Sequence, residues 1–396
     1  MTEPWEARRK SEERVKFRVE RDVLAEAVTW TARSLPTRPP LPVLAGLLIE
    51  ADEKRLTLSS FDYEVSARVE IPAEVSEPGK ALVSGRLLAE ITRSLPARPV
   101  DLATEETDRK VVVTCGSSRF TLQTLPSEDY PTLPEMPAAA GTLSGHDFAA
   151  AVAQVAVATG RDDTLPVLTG IRIEFEGEQL VMAATDRYRL AIRELPWQAD
   201  RPDLSAVALV QGRSLAETAR ALGDSDVVTI ALSEGGTGEG LIGFEGATDG
   251  EHRRSTNRLL DGEFPKYRSL LPSESNASAV IETAAFIESV KRVALVADRN
   301  TPVRLSFSEG ELVLDAGTGD EAQATEALAC EYTGEPLTIA FNPGFLQEGL
   351  QALGAAFAEM AFTTSTKPAV LSGRTEASGE SDSGYRYLIM PVRLSG

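Results

Sequence analysis

Apolar residues recur every three or four positions in three long stretches of the chain, 21–35, 146–161 and 283–299. This spacing places them on one face of a helix, so each stretch is predicted to be an amphipathic helix. Other runs alternate between apolar and polar residues, as "RFTLQTL" does at 119–125. Alternation of period two is typical of a strand with one buried face, and the clusters of Gly, Asp and Glu between such runs predict turns.

This pattern is written three times. "LPVLAGLLIE" at 41–50 returns as "LPVLTGIRIE" at 165–174, and "GRLLAEITRSLP" at 85–96 returns as "GRSLAETARALG" at 212–223. A weaker third copy of the second phrase is "PGFLQEGLQALG" at 343–354. The spacing is close to one third of the chain, far longer than the solenoid periods of about 20 to 50 residues. It predicts three copies of one α+β domain, each with two helices lying on antiparallel sheet.

Two segments lack either periodicity and are predicted to be linkers because they are rich in Pro, Ser and Ala. They are "LPSEDYPTLPEMPAAAGT" at 125–142 and "LPSESNASA" at 271–279. The predicted organisation is a disordered extension at 1–14 and three domains at 15–138, 139–276 and 277–396.

The net charge of the chain limits the kinds of partner that it is expected to bind. Its 60 acidic and 40 basic residues give a formal charge of −20, which ordinarily argues against contact with a polyanion. The six predicted helices nevertheless carry slightly more bases than acids. Two interpretations stay open at this point: ordinary solvated helix faces, or a weakly basic lining that faces a nucleic acid.

The expected cellular compartment and the expected lack of a cofactor both rest on features that the sequence does not have. The hydrophobic share is 42%, no run approaches the roughly 20 apolar residues of a membrane span, and the first residues do not resemble a signal peptide. We therefore expect a cytoplasmic protein. With only Cys115, Cys330, His146 and His252 available, neither a thiolate nor a histidine metal centre is expected, and no cofactor is predicted.

The search for catalytic motifs finds only weak candidates. "GEGLIG" at 238–243 matches a dinucleotide-binding pattern but no helical pattern follows it, so a flexible hairpin turn is the better interpretation. Asp162 and Asp163 form an acidic pair, yet no neighbouring cluster suggests a two-metal site, and solvated loop carboxylates are favoured. No nucleophile, phosphate-binding or zinc motif is present.

Several short sequence segments, taken in order, resemble those of a known protein family. They are "VKFRVER", "LPVLAG", "SRFTLQTLPSEDYP", "ATDRYRLA" at 184–191, "LLDGEFPKY" at 259–267 and "YLIMPVRL" at 387–394. Together they resemble the bacterial DNA polymerase III β subunit family, the replicative sliding clamps, from Val15 to Leu394. The resemblance implies a non-catalytic processivity factor of DNA replication, in which two chains join head to tail as a ring around duplex DNA. It also explains the charge, since a ring does not need tight contacts to stay on DNA.

The resemblance implies a groove between domains two and three that binds short peptides of the replicative polymerase, the clamp loader and repair proteins, through pockets for Leu or Phe. The residues implied are Leu168, Thr185, Tyr188, Arg189, Leu190, Pro265, Leu270, Asn342, Phe345, Leu388, Met390, Pro391 and Arg393. A core role for these side chains is the alternative.

The resemblance also implies a DNA-contacting set and a dimer interface. The DNA-contacting candidates are Arg38, Arg86, Arg213 and Arg258. The interface pairs an edge strand at Arg119, Phe120, Thr121 and Leu122 with a surface near Ala294 and Leu295. Complementary charges are expected from Arg109, Lys110 and Arg119 on one side and Asp320, Glu321 and Glu326 on the other.

Two features depart from the family pattern. The loop "GRDDTLP" at 160–166 is acidic where the family often has polar or aromatic residues that touch DNA, and fourteen residues precede Val15, where the family usually begins. We interpret Val15 as the ancestral start. Two other classes of function stay open: an enzyme with a site between repeated domains, using Asp186 and Arg189, and a repeat scaffold that binds only proteins.

Overall fold

A computed structural model describes residues 14–105, 109–233, 240–297, 301–317 and 322–393. Nearly all of the predicted extension at 1–14 lies outside the described residues. Within the described part of the chain, no helix is both long and apolar enough to cross a membrane.

All six predicted helices are present, and each ends one to six residues before its predicted C-terminal limit. In most of them a glycine or proline follows the last helical residue within a few positions, and both residue types end helices. One further short helix was not predicted. The helices are α1 Arg21–Ala32, α2 Gly85–Ser94, α3 Gly145–Ala156, α4 Pro166–Thr169, α5 Gly212–Ala221, α6 Thr283–Val293 and α7 Pro343–Leu353. Four 3₁₀ turns are Pro42–Ala45, Ser127–Asp129, Tyr267–Leu270 and Ala294–Val296.

Helix α2 shows why these segments are helical. Leu88 and Ile91 are buried, whereas Arg86 and Leu87 are exposed. Residues three or four apart share a face of a helix, so the apolar face packs on sheet and the other face meets solvent. The predicted amphipathic pattern is therefore the pattern of burial.

The strands, in chain order, are β1 Lys16–Val19, β2 Gly46–Asp52, β3 Arg55–Phe61, β4 Val65–Pro72, β5 Glu74–Glu77, β6 Gly79–Ser84, β7 Val100–Glu105, β8 Lys110–Cys115, β9 Ser118–Leu125, β10 Ala139–Leu143, β11 Gly170–Glu176, β12 Gln179–Thr185, β13 Arg189–Pro196, β14 Gln198–Ala199, β15 Ser205–Gln211, β16 Val228–Leu232, β17 Leu241–Thr248, β18 Glu251–Arg258, β19 Ala277–Glu282, β20 Val303–Ser308, β21 Glu311–Ala316, β22 Ala324–Ala329, β23 Glu331–Thr333, β24 Leu337–Phe341, β25 Phe357–Phe362, β26 Ala369–Arg374 and β27 Tyr385–Ile389.

These strands form three antiparallel sheets within the described residues. One has fourteen strands in the order β14-β10-β16-β17-β18-β4-β3-β2-β6-β9-β8-β7-β1-β5. Another has nine strands, β15-β11-β12-β13-β27-β26-β25-β19-β23, and the last has four, β22-β21-β20-β24. Along β20, buried residues alternate with exposed or half-buried ones, as the sequence pattern predicted.

Two strand pairs cross the boundaries of the sequence repeats. β4 of the first repeat pairs with β18 of the second, with Val69 opposite Arg253. β13 of the second repeat pairs with β27 of the third, with Leu190 opposite Leu388. Each pairing makes one continuous sheet out of two repeats.

The middle repeat is consequently divided between two compact units. The first unit comprises Met1–Ala149, Gln198–Arg201 and Glu217–Leu259, and the second comprises Ala150–Trp197, Pro202–Ala216 and Leu260–Gly396. These units follow the sheets and not the predicted boundaries at 139 and 277, which stay predictions about the sequence repeat.

Strands replace part of three predicted irregular segments. β10 occupies the end of the first predicted linker and β19 the end of the second, because main-chain pairing with β16 and β25 sets their conformation. In "GEGLIG", residues 241–243 belong to β17 and pair with β18, so the turn prediction is wrong there, and residues 238–239 lie outside the described residues.

Helix α7 packs closely on β27 through a glycine. A Cβ at Gly349 would lie 2.4 Å from Cε1 of Tyr387, a ring that is 0% exposed. Asn342 caps the start of α7 by accepting a hydrogen bond from the Phe345 N–H at 3.1 Å, and Gly354 ends the helix at φ 61°. The contact between Gly349 and Tyr387 fixes the helix that carries one side of the candidate site.

We expect Gly349→Ala to destabilise the protein although alanine favours helices. The added methyl group must displace the Tyr387 ring, and overpacking of this kind costs about 1–3 kcal/mol. Gly344→Ala is the matched control on the same helix, since the non-neighbouring atom closest to its Cβ in the described chain is a side-chain oxygen, Asn342 Oδ1 at 3.3 Å, and not a buried ring. Urea unfolding should show a lower midpoint for Gly349→Ala alone; equal midpoints would contradict the packing argument.

Candidate functional site

A cavity of about 490 Å³ opens on the surface of the second unit. Three segments form it: the loop between α3 and β11, the turn between β12 and β13, and the first turns of α7. Its lining residues are Thr159, Gly160, Arg161, Asp162, Leu165, Leu168, Asp186, Arg187, Tyr188, Arg189, Asn342, Gly344, Phe345 and Glu348.

The cavity brings together five of the residues predicted to bind a partner peptide: Leu168, Tyr188, Arg189, Asn342 and Phe345. The Tyr188 ring is 58% exposed and stacks on Phe345 with centroids 6.2 Å apart. An aromatic pair beside an open cavity offers an apolar surface that is not covered within the described chain.

The turn between β12 and β13 is held by side chains that bond to its backbone. Asp186 Oδ1 accepts hydrogen bonds from the N–H groups of Tyr188 at 3.0 Å and Arg189 at 3.1 Å. The Thr185 hydroxyl donates to the Arg189 carbonyl at 2.7 Å, and Arg187 N–H donates to that hydroxyl oxygen at 3.2 Å. Thr185, predicted to line the groove, is 4% exposed and lies beneath the turn.

Arg189 is the centre of the charged groups at this site. Its side chain is 4% exposed, its Nε donates to Asp186 Oδ2 at 3.0 Å, and its Nη1 bonds to Glu348 and to the Tyr387 hydroxyl. The guanidinium also lies 4.4 Å from the centre of the Phe345 ring. Burial opposes its charge, but Tyr387 and Glu348 outweigh burial and raise the Arg189 pKa. Arg189 therefore stays cationic and ties the turn to α7.

The Tyr387 hydroxyl also contacts the charged groups around Arg189. Burial raises the pKa of Tyr387 to about 12, so its hydroxyl stays protonated, and it donates to the Phe345 carbonyl at 2.8 Å. The Asp186 carboxylate and the Arg189 guanidinium, considered above as candidate chemistry, are saturated by each other and by the backbone. Their arrangement is that of a structural ion pair.

Two further predicted groove residues lie in an apolar cluster next to the cavity. Leu190 is 2% exposed and Leu388 is 3% exposed, and they pack with Phe264 and Tyr267. They do not line the cavity. Because they face each other across the β13–β27 pairing, they support the strands that carry the site.

The remaining predicted groove residues, Pro265, Leu270, Met390, Pro391 and Arg393, also do not line the cavity. Leu270 is 52% exposed and Met390 is 44% exposed. The Met390 N–H donates to the Tyr188 carbonyl at 2.9 Å, so this end of the chain is joined to the turn.

The sequence did not single out Leu165, Arg161, Arg187 or Glu348, which all line the cavity. Leu165 stands in the quoted repeat "LPVLTG", directly before α4, and is 37% exposed. Arg161 lies 3.5 Å from Glu348. A signal was available for Arg187, which stands inside "ATDRYRLA", but nothing in that phrase shows that it reaches the cavity.

The acidic loop at 160–166 forms part of the cavity wall. Asp162 Oδ1 accepts hydrogen bonds from the Thr164 hydroxyl at 2.6 Å and the Thr164 N–H at 3.0 Å. The side-chain bond, then the backbone bond, lower the Asp162 pKa. The Asp162 carboxylate therefore stabilises the turn in which it lies. Among the described residues, no group of His, Cys, Asp and Glu could hold a metal ion.

The predicted DNA-contacting arginines are all exposed. Arg38, Arg86 and Arg258 lie in the first unit and Arg213 in the second. Arg86 donates to the Pro36 carbonyl at 3.0 Å, and Arg258 lies 3.7 Å from Glu64, an exposed pair of little energetic weight.

The predicted interface residues lie at sheet edges or on the surface. Arg119, Phe120, Thr121 and Leu122 belong to β9, which pairs with β8 along its length but with β6 only at Thr124 and Leu125. Ala294 and Leu295 form a 3₁₀ turn after α6, and Leu295 is 84% exposed.

Two of the residues expected to provide complementary charge already have partners within the chain. Arg119 already bonds to Glu105 at 3.0 Å, and Glu326 accepts bonds from Ser289 at 2.6 Å and from Arg292. The bonds from Arg292 and then Ser289 lower the pKa of Glu326 to about 2. Both charges are therefore engaged within the chain, and Asp320 and Glu321 lie outside the described residues.

Comparison with known families accounts for nearly the whole chain. Three family models match in order: "DNA polymerase III beta subunit, N-terminal domain" at 15–134, "central domain" at 142–266 and "C-terminal domain" at 268–393.

Individual relatives agree with the family models. The chain is 62% identical over 382 residues to the beta sliding clamp of Streptomyces coelicolor, covering 96% of this chain and 100% of that one. The crystal structure of the Bacillus subtilis clamp is 26% identical with a TM-score of 0.84, covering 97% and 100%. The Pseudomonas aeruginosa clamp bound to griselimycin is 28% identical with a TM-score of 0.83, covering 96% and 100%.

Three repeated domains of the expected fold, matched in order by all three models, leave one conclusion: the chain belongs to the DNA polymerase III beta subunit family, the non-catalytic sliding clamps that make DNA replication processive.

Proposed function

We propose that two copies of the chain close head to tail around duplex DNA, and that the cavity recruits the replicative polymerase, the clamp loader and repair proteins through short peptides. The observation that carries the recruitment step is the cavity lined by the exposed apolar side chains Tyr188 and Leu165. Membership of the clamp family excludes the enzyme interpretation. A cytoplasmic location at the nucleoid is part of the proposal.

Two open strand edges support ring closure. Residues 118–123 of β9 have no partner strand on one side within the described chain, and β22 is the last strand of its sheet. Exposed edges invite pairing with another chain. Phe120 on β9 and Leu295 beyond α6 provide apolar contacts, so we propose that β9 of one copy pairs with the β22 side of the other.

In this proposal the ring contacts DNA only weakly. Arg38, Arg86, Arg213 and Arg258 provide exposed positive charge in a chain of net charge −20. Phosphate contacts attract DNA without reading its sequence, and few of them give low affinity. The ring then stays on DNA by topology.

The griselimycin-bound relative supports recruitment through a ligand site. That clamp shares the fold with a TM-score of 0.83 and holds a ligand. In this chain, apolar side chains of a partner would find Leu168, Phe345 and Tyr188, with Leu190 and Leu388 beneath. Burial of each such side chain is worth about 1.5–3 kcal/mol.

We expect Leu295→Asp to convert dimers into monomers, because a charge at an apolar contact would have to be desolvated. Light scattering should show the mass falling from twice 42.5 kDa to 42.5 kDa. Val227→Asp is the control, since Val227 is 55% exposed and stands outside the proposed interface. A Leu295→Asp protein that remains dimeric would refute the assignment of this surface.

Retention on DNA should depend on topology. After loading onto a nicked circular plasmid, the protein should remain bound in gel filtration, and linearising the plasmid should release it because free ends let a ring slide off. Equal retention on circular and linear DNA would show ordinary binding and contradict the ring.

The two copies of "LPVL" provide a matched test of the cavity. Leu165→Ala should weaken polymerase stimulation and peptide binding roughly 5- to 30-fold, since a lost apolar contact costs about 1–2 kcal/mol. Leu41→Ala, the same change in the first repeat at a residue 46% exposed, should leave both unchanged. Fluorescence anisotropy with labelled peptide measures the affinity; equal effects of the two changes would refute the cavity as the site.

A further inference from the structure

The two strand pairs that join the repeats are built from opposite kinds of residue. We call β4–β18 the first junction and β13–β27 the second junction. The strand that closes the first is "EHRRSTNR" at 251–258, which contains no apolar residue, and the strand that closes the second is "YRYLI" at 385–389. The first junction has six residue pairs in register and the second has five, so main-chain pairing does not distinguish them. Any difference in strength comes from the side chains.

The second junction is held by apolar burial. Four of the five side chains of β27 are at most 3% exposed, namely Tyr385, Tyr387, Leu388 and Ile389. Leu388 packs in an apolar cluster with Leu190 of the facing strand, and the Tyr385 hydroxyl donates to the Gln154 carbonyl at 2.9 Å. Salt screens charges but does not screen apolar burial, so we expect this junction to be insensitive to ionic strength.

On the helix side of the first junction, one arginine makes the contacts. The Arg253 side chain is 13% exposed, and its Nη2 donates to Glu26 of α1 at 2.5 Å and to Glu251 at 2.7 Å. Its Nη1 donates to the Ala221 carbonyl at the end of α5 at 2.9 Å, and its guanidinium lies 5.8 Å from the centre of the Trp30 ring. A single cation therefore joins α1 of the first repeat to α5 and β18 of the second.

The opposite face of the first junction places two arginines directly across from each other. Arg254 on β18 is paired in register with Arg68 on β4, and like charges in this position destabilise a sheet. The Nε atoms of both are buried without a hydrogen-bond partner in the described part of the chain. Arg254 donates to Glu245 at 3.0 Å, and Arg68 donates to Glu70 at 3.4 Å. This face therefore depends on partly exposed ion pairs that offset a repulsion.

We propose that the first junction is the joint at which each chain bends when the ring opens, and that the second junction stays closed. This inference rests on the proposed ring. Parting a ring at one interface forces each chain to change its curvature, and the deformation concentrates where resistance is lowest. An ion-paired junction resists less than one closed by buried apolar side chains. The cavity depends on the second junction, so it keeps its form while the ring opens.

Hydrogen exchange of the full-length chain without DNA tests the difference between the junctions, because amide exchange in strands reports local opening. We expect the amides of residues 252–257 to exchange faster than those of 385–389. Raising the salt from about 0.05 M to about 0.5 M should speed exchange at 252–257 roughly three- to tenfold by screening the ion pairs. Exchange at 385–389 should not change. Equal responses of the two strands to salt would overturn the inference.

Two variants change the first junction in opposite directions. Arg253→Met keeps the aliphatic stem and removes the charge, so exchange at 252–257 should be faster at low salt and respond less to added salt. Arg68→Ile removes the repulsion and should slow that exchange, since Ile192 has the same place in β13, six residues after the aspartate of the preceding turn in each repeat. Arg193→Met is the matched control at the second junction, where Arg193 forms a partly exposed ion pair with Asp382 at 2.8 Å, and it should leave exchange at both junctions unchanged.

Residence on nicked circular DNA connects the joint with ring opening. Arg253→Met should leave the plasmid roughly three- to tenfold sooner than the unmodified protein, and Arg68→Ile should leave later. The affinity for the labelled peptide of the Leu165→Ala test should stay the same in both variants.

Three further results would contradict the inference. If exchange changes as expected and residence does not, bending at the first junction does not govern opening, although the ring stands. If Arg253→Met also loses the peptide, the two junctions are not independent. If the unmodified protein is not retained on circular DNA, the proposed ring fails and the joint fails with it.

Discussion

Main-chain pairing between repeats is the constraint on which the structure depends. The β4–β18 and β13–β27 pairs turn three copies of one domain into continuous sheets, so the compact units no longer coincide with the repeats. Such pairing satisfies backbone groups that would otherwise form open edges. The β13–β27 pair also brings residues about 200 positions apart to one side of a cavity, which no local segment could achieve.

A buried cation stabilises what that pairing brings together. Arg189 links the β12–β13 turn, α7 and the Tyr387 hydroxyl, and nearly all of its surface is removed from water. Removing one partner of a buried charge is far more costly than losing an exposed ion pair. The cavity wall is therefore held in place before any ligand arrives, which lowers the ordering cost of binding.

Periodicity and repetition predicted the helices and the α+β class, because both signals depend on residues that are close together in the sequence. They could not predict β10 or β19, whose strands form only against distant partners, nor the burial of Leu190 and Leu388, which depends on the same long-range pairing. The resemblance identified Tyr188, Arg189 and Phe345, which the cavity brings together. The φ of 78° at Arg187 was not predicted, although Asp186, which accepts hydrogen bonds from the N–H groups of Tyr188 and Arg189, is a local signal for such a turn.

The position of β27 in its sheet has a consequence for biosynthesis. This strand lies between β13 and β26, so the nine-stranded sheet consists of two separate four-stranded halves until residues 385–389 are in place. Since ribosomes make chains from the N-terminus, the sheet closes and Tyr387 reaches Arg189 only late in synthesis. Until these last residues emerge, Arg189 lacks its Tyr387 partner, so the cavity wall of a nascent chain is held less firmly than that of the finished chain.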